Sequence, residues 1–321
     1  MRIGLDVMGG DFAPKATVLG AIYAKEELSC EDNIVLFGNE VAIRQVLEEN
    51  NASPDMFEII HTEEVIDMHD KPIKALAKKK DASLTVGFQY LKEGKIDTFA
   101  SAGSTGAMLV GAMYSVGVME GVLRPCLVAL LPKEKGGVTA LVDVGVNPDA
   151  KPEVLSQFGL LGSNYAKCAL GIENPKVGLI NIGEEEEKGN QQSQAAHQLM
   201  KGEKSYNFVG NVEPTEIFKN NVDVVVCDGF TGNLILKHTE AFARVFAKRG
   251  LIDDYVRRFN YEIYGGLPLL GANAVVIIGH GVSNEKAIKS MILQSRDIYN
   301  SRITEKLREA LIKQEDNLCQ K

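Results

Sequence analysis

The chain has 321 residues, 45% hydrophobic and 24% charged, with a formal net charge of −8. This length supports a sizeable core, as one large α/β domain or two small ones, and the composition argues against disorder. The acidic balance argues against nonspecific nucleic-acid binding, which needs a basic surface to neutralise phosphates, but leaves room for a local basic patch facing an anionic substrate.

The five cysteines, Cys30, Cys126, Cys168, Cys227 and Cys319, are scattered, odd in number and without CxxC spacing. That pattern disfavours a disulfide framework or a zinc site and suits a reducing cytosol. The apolar runs are strand-sized and broken by glycine or charge, so no transmembrane segment is expected. Asp6 and Asp11 interrupt the stretch where a signal peptide would be apolar, so the N-terminus reads as that of mature protein.

In chain order, β-branched runs predict strands at Arg2–Val7, Ile34–Phe37, Phe57–His61, Thr98–Ser101, Leu127–Leu131, Thr139–Val144, Val177–Asn181, Asn207–Val209, Val222–Cys227 and Val275–Ile278. Helical spacing lies between them at Lys15–Glu27, Glu40–Asn50, Leu84–Glu93, Gly106–Val118, Glu153–Ala169, Asn190–Met200 and Gly232–Ala247. One or two more helices fill Asn284–Lys313, with a polar tail expected to fray after about 313. Alternation of doubly apolar strands with helices predicts a three-layer α/β/α fold around a mainly parallel sheet. The adjacent strands around Lys133–Gly137 read as a hairpin, which makes the sheet mixed. Residues 1–321 are taken as a single domain.

Ligands of open α/β sheets sit where strands end and helices begin. Seven loops there are rich in glycine and polar groups. The first, Asp6 to Asp11, places Gly9 and Gly10 between two carboxylates; a tight turn with Asp11 near a helix start is the plain alternative. The second, Ser101 to Ala107, offers Gly103, Ser104 and Thr105 as an anion cradle, with N-capping by Ser104 or Thr105 as its structural reading. The third holds Asp143 and Asn147. In the fourth, four glutamates precede Lys188, which stands where a helix should begin; the glutamates themselves suit a solvated charge run. The fifth carries Asp228, Gly229, Gly232 and Asn233. The sixth is Tyr264–Gly271, with Gly265 and Gly266. The seventh is Gly279-His280-Gly281, whose histidine is an acid/base candidate or simply a packed residue. A shared anion site is the economical reading of the set.

Several chemistries lack their signals. There is no GxGxxG fingerprint, no Walker A sequence, no GxSxG elbow and no HxH or HExxH spacing. No metal or cofactor is therefore expected. The cysteines lack an activating pattern, so direct attack by a bound substrate is expected in place of a covalent enzyme intermediate.

In their order along the chain, DVMGGDFAP (Asp6–Pro14), SAGSTGAM (Ser101–Met108), Arg124-Pro125, DVGVNPDAKPE (Asp143–Glu153), IGEEEEKGN (Ile182–Asn190), DGFTGN (Asp228–Asn233), YGGLPLLG (Tyr264–Gly271) and GHGVSN (Gly279–Asn284) resemble the PlsX family of bacterial phosphate acyltransferases. The resemblance runs to about Lys289. It implies a fold like that of isocitrate and isopropylmalate dehydrogenases, and acyl transfer from acyl-[acyl carrier protein] to inorganic phosphate for phospholipid synthesis. It also implies a cytoplasmic homodimer, peripheral membrane association at the inner face of the cell membrane, a downstream acyltransferase that takes the product, and Lys188 and Asn233 as the functional pair.

Two features depart from the family pattern. Ser104 stands where an asparagine is usual, and the segment from Lys237 to Tyr264 is shorter than in many members, where a helical hairpin serves dimerisation and membrane contact. The remaining segment sets Phe242, Val245 and Phe246 among Arg244, Lys248, Arg249, Arg257 and Arg258. It suits an anionic lipid surface, the acidic carrier or an ordinary surface helix. Rival readings of the chain are a phosphotransacetylase-like enzyme using acyl-CoA, a dehydrogenase on the related fold, and a non-catalytic acyl- or phosphate-binding protein.

Overall fold

The computed structural model describes residues 1–319. Its elements begin with β1 (Arg2–Asp6), α1 (Lys15–Lys25), β2 (Asn33–Gly38), α2 (Glu40–Glu49), β3 (Glu58–His61), α3 (Pro72–Lys78), α4 (Ser83–Lys92), β4 (Thr98–Ser101) and α5 (Thr105–Ser115). There follow β5 (Cys126–Pro132), β6 (Val138–Val142), α6 (Pro152–Ala169), β7 (Lys176–Ile180), α7 (Gln191–Gly202), β8 (Asn207–Val212), β9 (Val224–Val226) and α8 (Gly229–Lys248). The chain closes with α9 (Asp254–Arg257), α10 (Tyr261–Tyr264), β10 (Gly266–Leu270), β11 (Val275–Gly279), α11 (Glu285–Asn300) and α12 (Ile303–Cys319). The tail expected to fray after about 313 is helical in α12 as far as Cys319, and residues 320 and 321 lie outside the described residues.

Two compact units form, one from Met1–Gly117 with Tyr261–Asn300, the other from Val118–Asn260 with Ser301–Lys321. In the first unit the strand order is β3-β2-β1-β4-β11-β10. All neighbours are parallel except β10, which runs antiparallel to β11. β1 is central, with Leu5 opposite Leu36 on one side and Ala100 on the other. Phe99 of β4 meets Phe37 and Phe88 edge to face, at ring centroids of 5.8 and 5.0 Å, a favoured aromatic geometry. α1 packs closely along α11, and a Cβ on Gly20 would fall 2.8 Å from the Glu285 carbonyl oxygen.

In the second unit the order is β5-β6-β9-β7-β8, with β5 and β6 antiparallel and the rest parallel. The hairpin expected around Lys133–Gly137 is present, closed by the Lys133 N–H donating to Gly137 O at 3.1 Å. α6 packs on β6, β7 and β9 and also meets α7 and α12. The architecture is thus α/β with mixed, mainly parallel pairing. The ten expected strands are present within a few residues of their expected ends. Tyr264–Gly271, expected as a loop, is instead mostly strand β10. Among the described residues no helix is long and apolar enough to cross a membrane.

Candidate active site

In the first unit, three of the glycine loops meet. Asp6 ends β1 and Ser101 ends β4, both buried. Parallel pairing of these strands brings their ends side by side, and the Ser101 hydroxyl donates to Asp6 Oδ2 at 2.6 Å. The Gly103 N–H donates to Ser101 Oγ at 2.9 Å, and the Met8 N–H to Asp6 Oδ1 at 3.1 Å. Gly9 is required here: a Cβ would sit 2.6 Å from both Asp6 Oδ2 and Ser101 Oγ. Gly10 has φ +106, a backbone region glycine adopts without strain. The Asp11 N–H donates to Gly281 O at 2.8 Å, which ties the first loop to the one carrying His280. Burial holds the Asp6 carboxyl above its ordinary value, opposed by hydrogen bonds from Ser101, Ser83, Met8 and Gly9.

Ser104 caps α5, its hydroxyl accepting from the Ala107 N–H at 3.4 Å, while Thr105 is exposed on the first turn. His280 is half-buried, with its Nδ1 accepting from the Val282 N–H at 3.4 Å. Gly266 starts β10 and pairs with Gly279, the neighbour of His280, while Gly265, at φ +74, lets the chain pass against the Ser290–Met291 backbone. An apolar cleft of about 330 Å³ opens between α3, α4 and α5, lined by Ile73, Leu76, Ala77, Phe88, Val110 and Tyr114.

The second unit repeats the device. Asp143, fully buried just past β6, accepts on Oδ1 from the Leu127 N–H at 2.9 Å. Its Oδ2 accepts from the Val146 N–H at 3.1 Å, the Asn147 N–H at 2.7 Å and Asn147 Nδ2 at 3.0 Å. Burial raises this carboxyl too, against the pull of those donors. The Gly229 N–H donates to Asn147 O at 2.8 Å, so the third and fifth loops are joined. Asp228 is the N-cap of α8, Oδ1 accepting from the Thr231 N–H at 2.7 Å. The helix therefore starts at Gly229, three residues earlier than expected, and Gly229, Gly232 and Asn233 lie on its first turns. A Cβ on Gly232 would overlap the Asp143 carbonyl oxygen. Asn233 is exposed, its Cγ 3.9 Å from the Cβ position of Gly145.

Lys188 is exposed in the loop between β7 and α7. The helix cap is Asn190, whose Oδ1 accepts from the Ser193 N–H at 2.8 Å, so Lys188 precedes the helix instead of opening it. Asn181, Gln194, His197 and Asn211, which anchor this loop, were not among the residues expected from sequence. Cys126 and Cys227 are buried, and burial together with the Asp143 charge pushes both thiols well up, which makes them inert packing residues. Among the described residues no group of three or more His, Cys, Asp or Glu side chains is placed to hold a metal ion.

A phosphotransacetylase from Streptococcus pyogenes has a TM-score of 0.65 to this structure at 17% identity, over 93% of this chain and 94% of that one. A branched-chain phosphotransacylase from Enterococcus faecalis V583 follows at 0.64 and 13% identity, over 93% and 99%. A Salmonella typhimurium structure assigned to the 4-hydroxythreonine-4-phosphate dehydrogenases has a TM-score of 0.52 at 12% identity, over 94% and 99%. By fold, then, the chain is of the α/β class that phosphotransacylases share with such dehydrogenases. Residues 1–250 match the family described as fatty acid synthesis protein. A phosphate acyltransferase of Caldicellulosiruptor bescii is 42% identical over 331 residues, covering 97% of this chain and 98% of that protein. One of Syntrophomonas wolfei is 42% identical over 312 residues, covering 95% and 97%. The chain belongs to this fatty acid synthesis protein family, the PlsX phosphate acyltransferases.

Proposed function

We propose that this chain transfers a long-chain acyl group from an acyl carrier protein thioester to inorganic phosphate. A phosphate oxygen attacks the thioester carbonyl, the tetrahedral intermediate collapses, the C–S bond breaks, and acyl phosphate and the free carrier thiol result. Phosphate dianion is already a nucleophile, so the protein's task is to position it and to stabilise the oxyanion with preset donors. Lys188 supplies an ammonium and Asn233 an amide N–H, one for the phosphate and one for the oxyanion. The loops holding Gly9 to Asp11, Ser101 to Thr105 and His280 contribute to substrate binding. Asp6 and Asp143 act from below, fixing the loops that carry the contacting groups.

The observation that carries this reading is the placement of Asn233. It stands exposed on the first turn of a helix whose start is locked to the Asp143 loop through Gly229 and Gly232. A long acyl chain is supported by the apolar cleft of the first unit, between α3, α4 and the C-terminal half of α5. The same proposal includes a homodimer in the cytoplasm, with α8 touching the membrane surface or the carrier through exposed Phe242 and Val245 next to Arg244 and Lys248. Product then passes to a downstream acyltransferase.

The test is acyl-phosphate formation from palmitoyl-carrier protein and phosphate by wild type, Lys188→Ala and Asn233→Ala, with folding checked by circular dichroism. Loss of a preset donor costs about 10²–10³ in kcat, and that loss is expected in each variant. Folded variants as active as wild type would remove Lys188 and Asn233 from the site. Wild type that is inert with the carrier thioester but turns over acetyl-CoA would make the protein a short-chain phosphotransacetylase. Binding without turnover of either would make it a binding protein.

A further inference from the structure

The loop that presents Lys188 has little reason of its own to hold one shape. Residues 182–190 lie outside the sheet ladder, and Glu184 to Glu187 are four adjacent exposed carboxylates that repel one another. Its order comes from neighbouring elements: Lys201 Nζ pairs with Glu186 Oε1 at 2.6 Å, and side-chain amides hold the backbone carbonyls. Asn181 Nδ2 donates to Lys188 O at 3.1 Å, while its Oδ1 accepts from the Ile182 N–H at 2.8 Å. Gln194 Nε2 donates to Glu187 O at 2.6 Å and Gly189 O at 3.2 Å. Asn211 Nδ2, from β8, donates to Glu185 O at 2.8 Å. The same carbonyl accepts from the Lys188 N–H at 3.1 Å, so Asn211 reaches the lysine backbone through one shared oxygen.

The orientation of the Asn211 amide follows from chemistry. Glu185 O can only accept, so the nitrogen faces it and Oδ1 faces His197 Nδ1, 2.9 Å away. His197 must therefore carry its proton on Nδ1. Asn211 and His197 are both buried, and the imidazole stands edge-on to Phe208 at 5.2 Å between centroids. The ring cannot swing without opening this packing. A buried histidine thus fixes an amide, and the amide fixes the carbonyl against which the Lys188 turn closes.

We infer that Asn211, oriented by His197, is a positioning residue for Lys188, with Asn181 and Gln194 as auxiliaries; this rests on the role given to Lys188 above. The chain of contacts runs from β8 and α7 to the loop.

Steady-state kinetics of palmitoyl transfer from the carrier to phosphate tests it. Asn211→Asp keeps the acceptor for His197 but turns an oxygen toward Glu185 O. It is expected to lower kcat by about 10–10² while KM for phosphate moves less than about threefold, since misplacement by about 1 Å costs up to 10². His197→Leu should reproduce that loss, and His197→Asn, which retains a donor at the Nδ1 position, should restore most of the rate. In a Lys188→Ala background, Asn211→Asp should add less than about twofold, because the two act through one group. Gln194→Ala, on the exposed face of α7, guards against a variant that fails to fold and should show the same dependence on Lys188. Wild-type kcat in Asn211→Asp and Gln194→Ala, or an equal loss with and without Lys188, overturns the inference while leaving the proposed function intact. Full activity of Lys188→Ala overturns both the lysine's role and this inference.

Discussion

Gly232→Ala tests how tightly α8 is set on the strand-end loop. The added methyl would overlap the Asp143 carbonyl oxygen and lie 2.8 Å from Cys227 Sγ. The obstacle is backbone, so no rotamer change relieves it. Carbon–oxygen contacts settle at about 3.3–3.6 Å, so the helix start must retreat by more than about 1 Å. Overpacking of this kind costs about 1–3 kcal/mol, and alanine's better helix propensity returns up to about 1 kcal/mol. A net loss of about 1–2 kcal/mol, with an unfolding entropy of about 2.1 cal/mol/K per residue over 321 residues, corresponds to a fall of about 1.5–3 °C in Tm. Asn233 is the next residue and moves with the helix, so kcat should drop about 10²-fold even where the protein is fully folded. Calorimetry and acyl-phosphate assays well below both melting points separate the two effects. Gly202→Ala is the control: it lies at the exposed end of α7 with nothing near its Cβ position, and should be neutral or slightly stabilising. A Gly232→Ala protein that melts and turns over like wild type would refute the packing argument for Asn233.

Ser101→Ala removes the hydroxyl that donates to Asp6 and accepts from Gly103, leaving both buried partners short, at a cost of about 1–3 kcal/mol in denaturant unfolding. An unchanged midpoint would show that Asp6 does not depend on that bond. Asp143 is raised by burial, so folding favours its protonated form; its contribution is fully present below the ordinary carboxylate value and fades as pH rises through the raised folded value. The stability of wild type relative to Asp143→Asn should therefore grow as pH falls from about 7 to about 4. A constant difference across chemical unfolding curves at several pH values would contradict that sign. Ala77→Phe narrows the apolar cleft and should shift kcat/KM from sixteen-carbon toward eight-carbon acyl carriers, given about 0.8 kcal/mol per buried methylene. An unaltered chain-length profile would take the acyl chain out of this cleft.

Much of this organisation is legible in the sequence because it is local. Val224–Val226 is a short β-branched run buried at every position, and Ser104, expected as a cap, directly precedes its helix. The misreadings share a cause. β10 has Pro268 at its centre, opposite Ile277, and a residue without an N–H argues against a ladder position. The start of α8 is hidden by Gly229 and Gly232, which read as loop but are glycine because a helix presses on the Asp143 loop. The anchoring of the Lys188 loop depends on partners such as Asn211 and Glu185, 26 positions apart, and no local pattern announces such a pairing. Asp6 and Asp143 were expected near the ligand; their burial is a property of packing, which periodicity does not measure.

The first unit takes its strand β11 and helix α11 from the far end of the chain. β11 pairs directly with β4, yet leaves the ribosome roughly 170 residues later, about 9–35 s at bacterial and eukaryotic elongation rates. During that interval β4 has one edge unpaired and α1 lacks the helix against which Gly20 packs. The nascent N-terminal half therefore has to wait, unable to finish its own core, and is open to chaperones and to aggregation for most of its synthesis. Ribosome stalling or truncation before residue 275 leaves a product that has no edge partner to wait for.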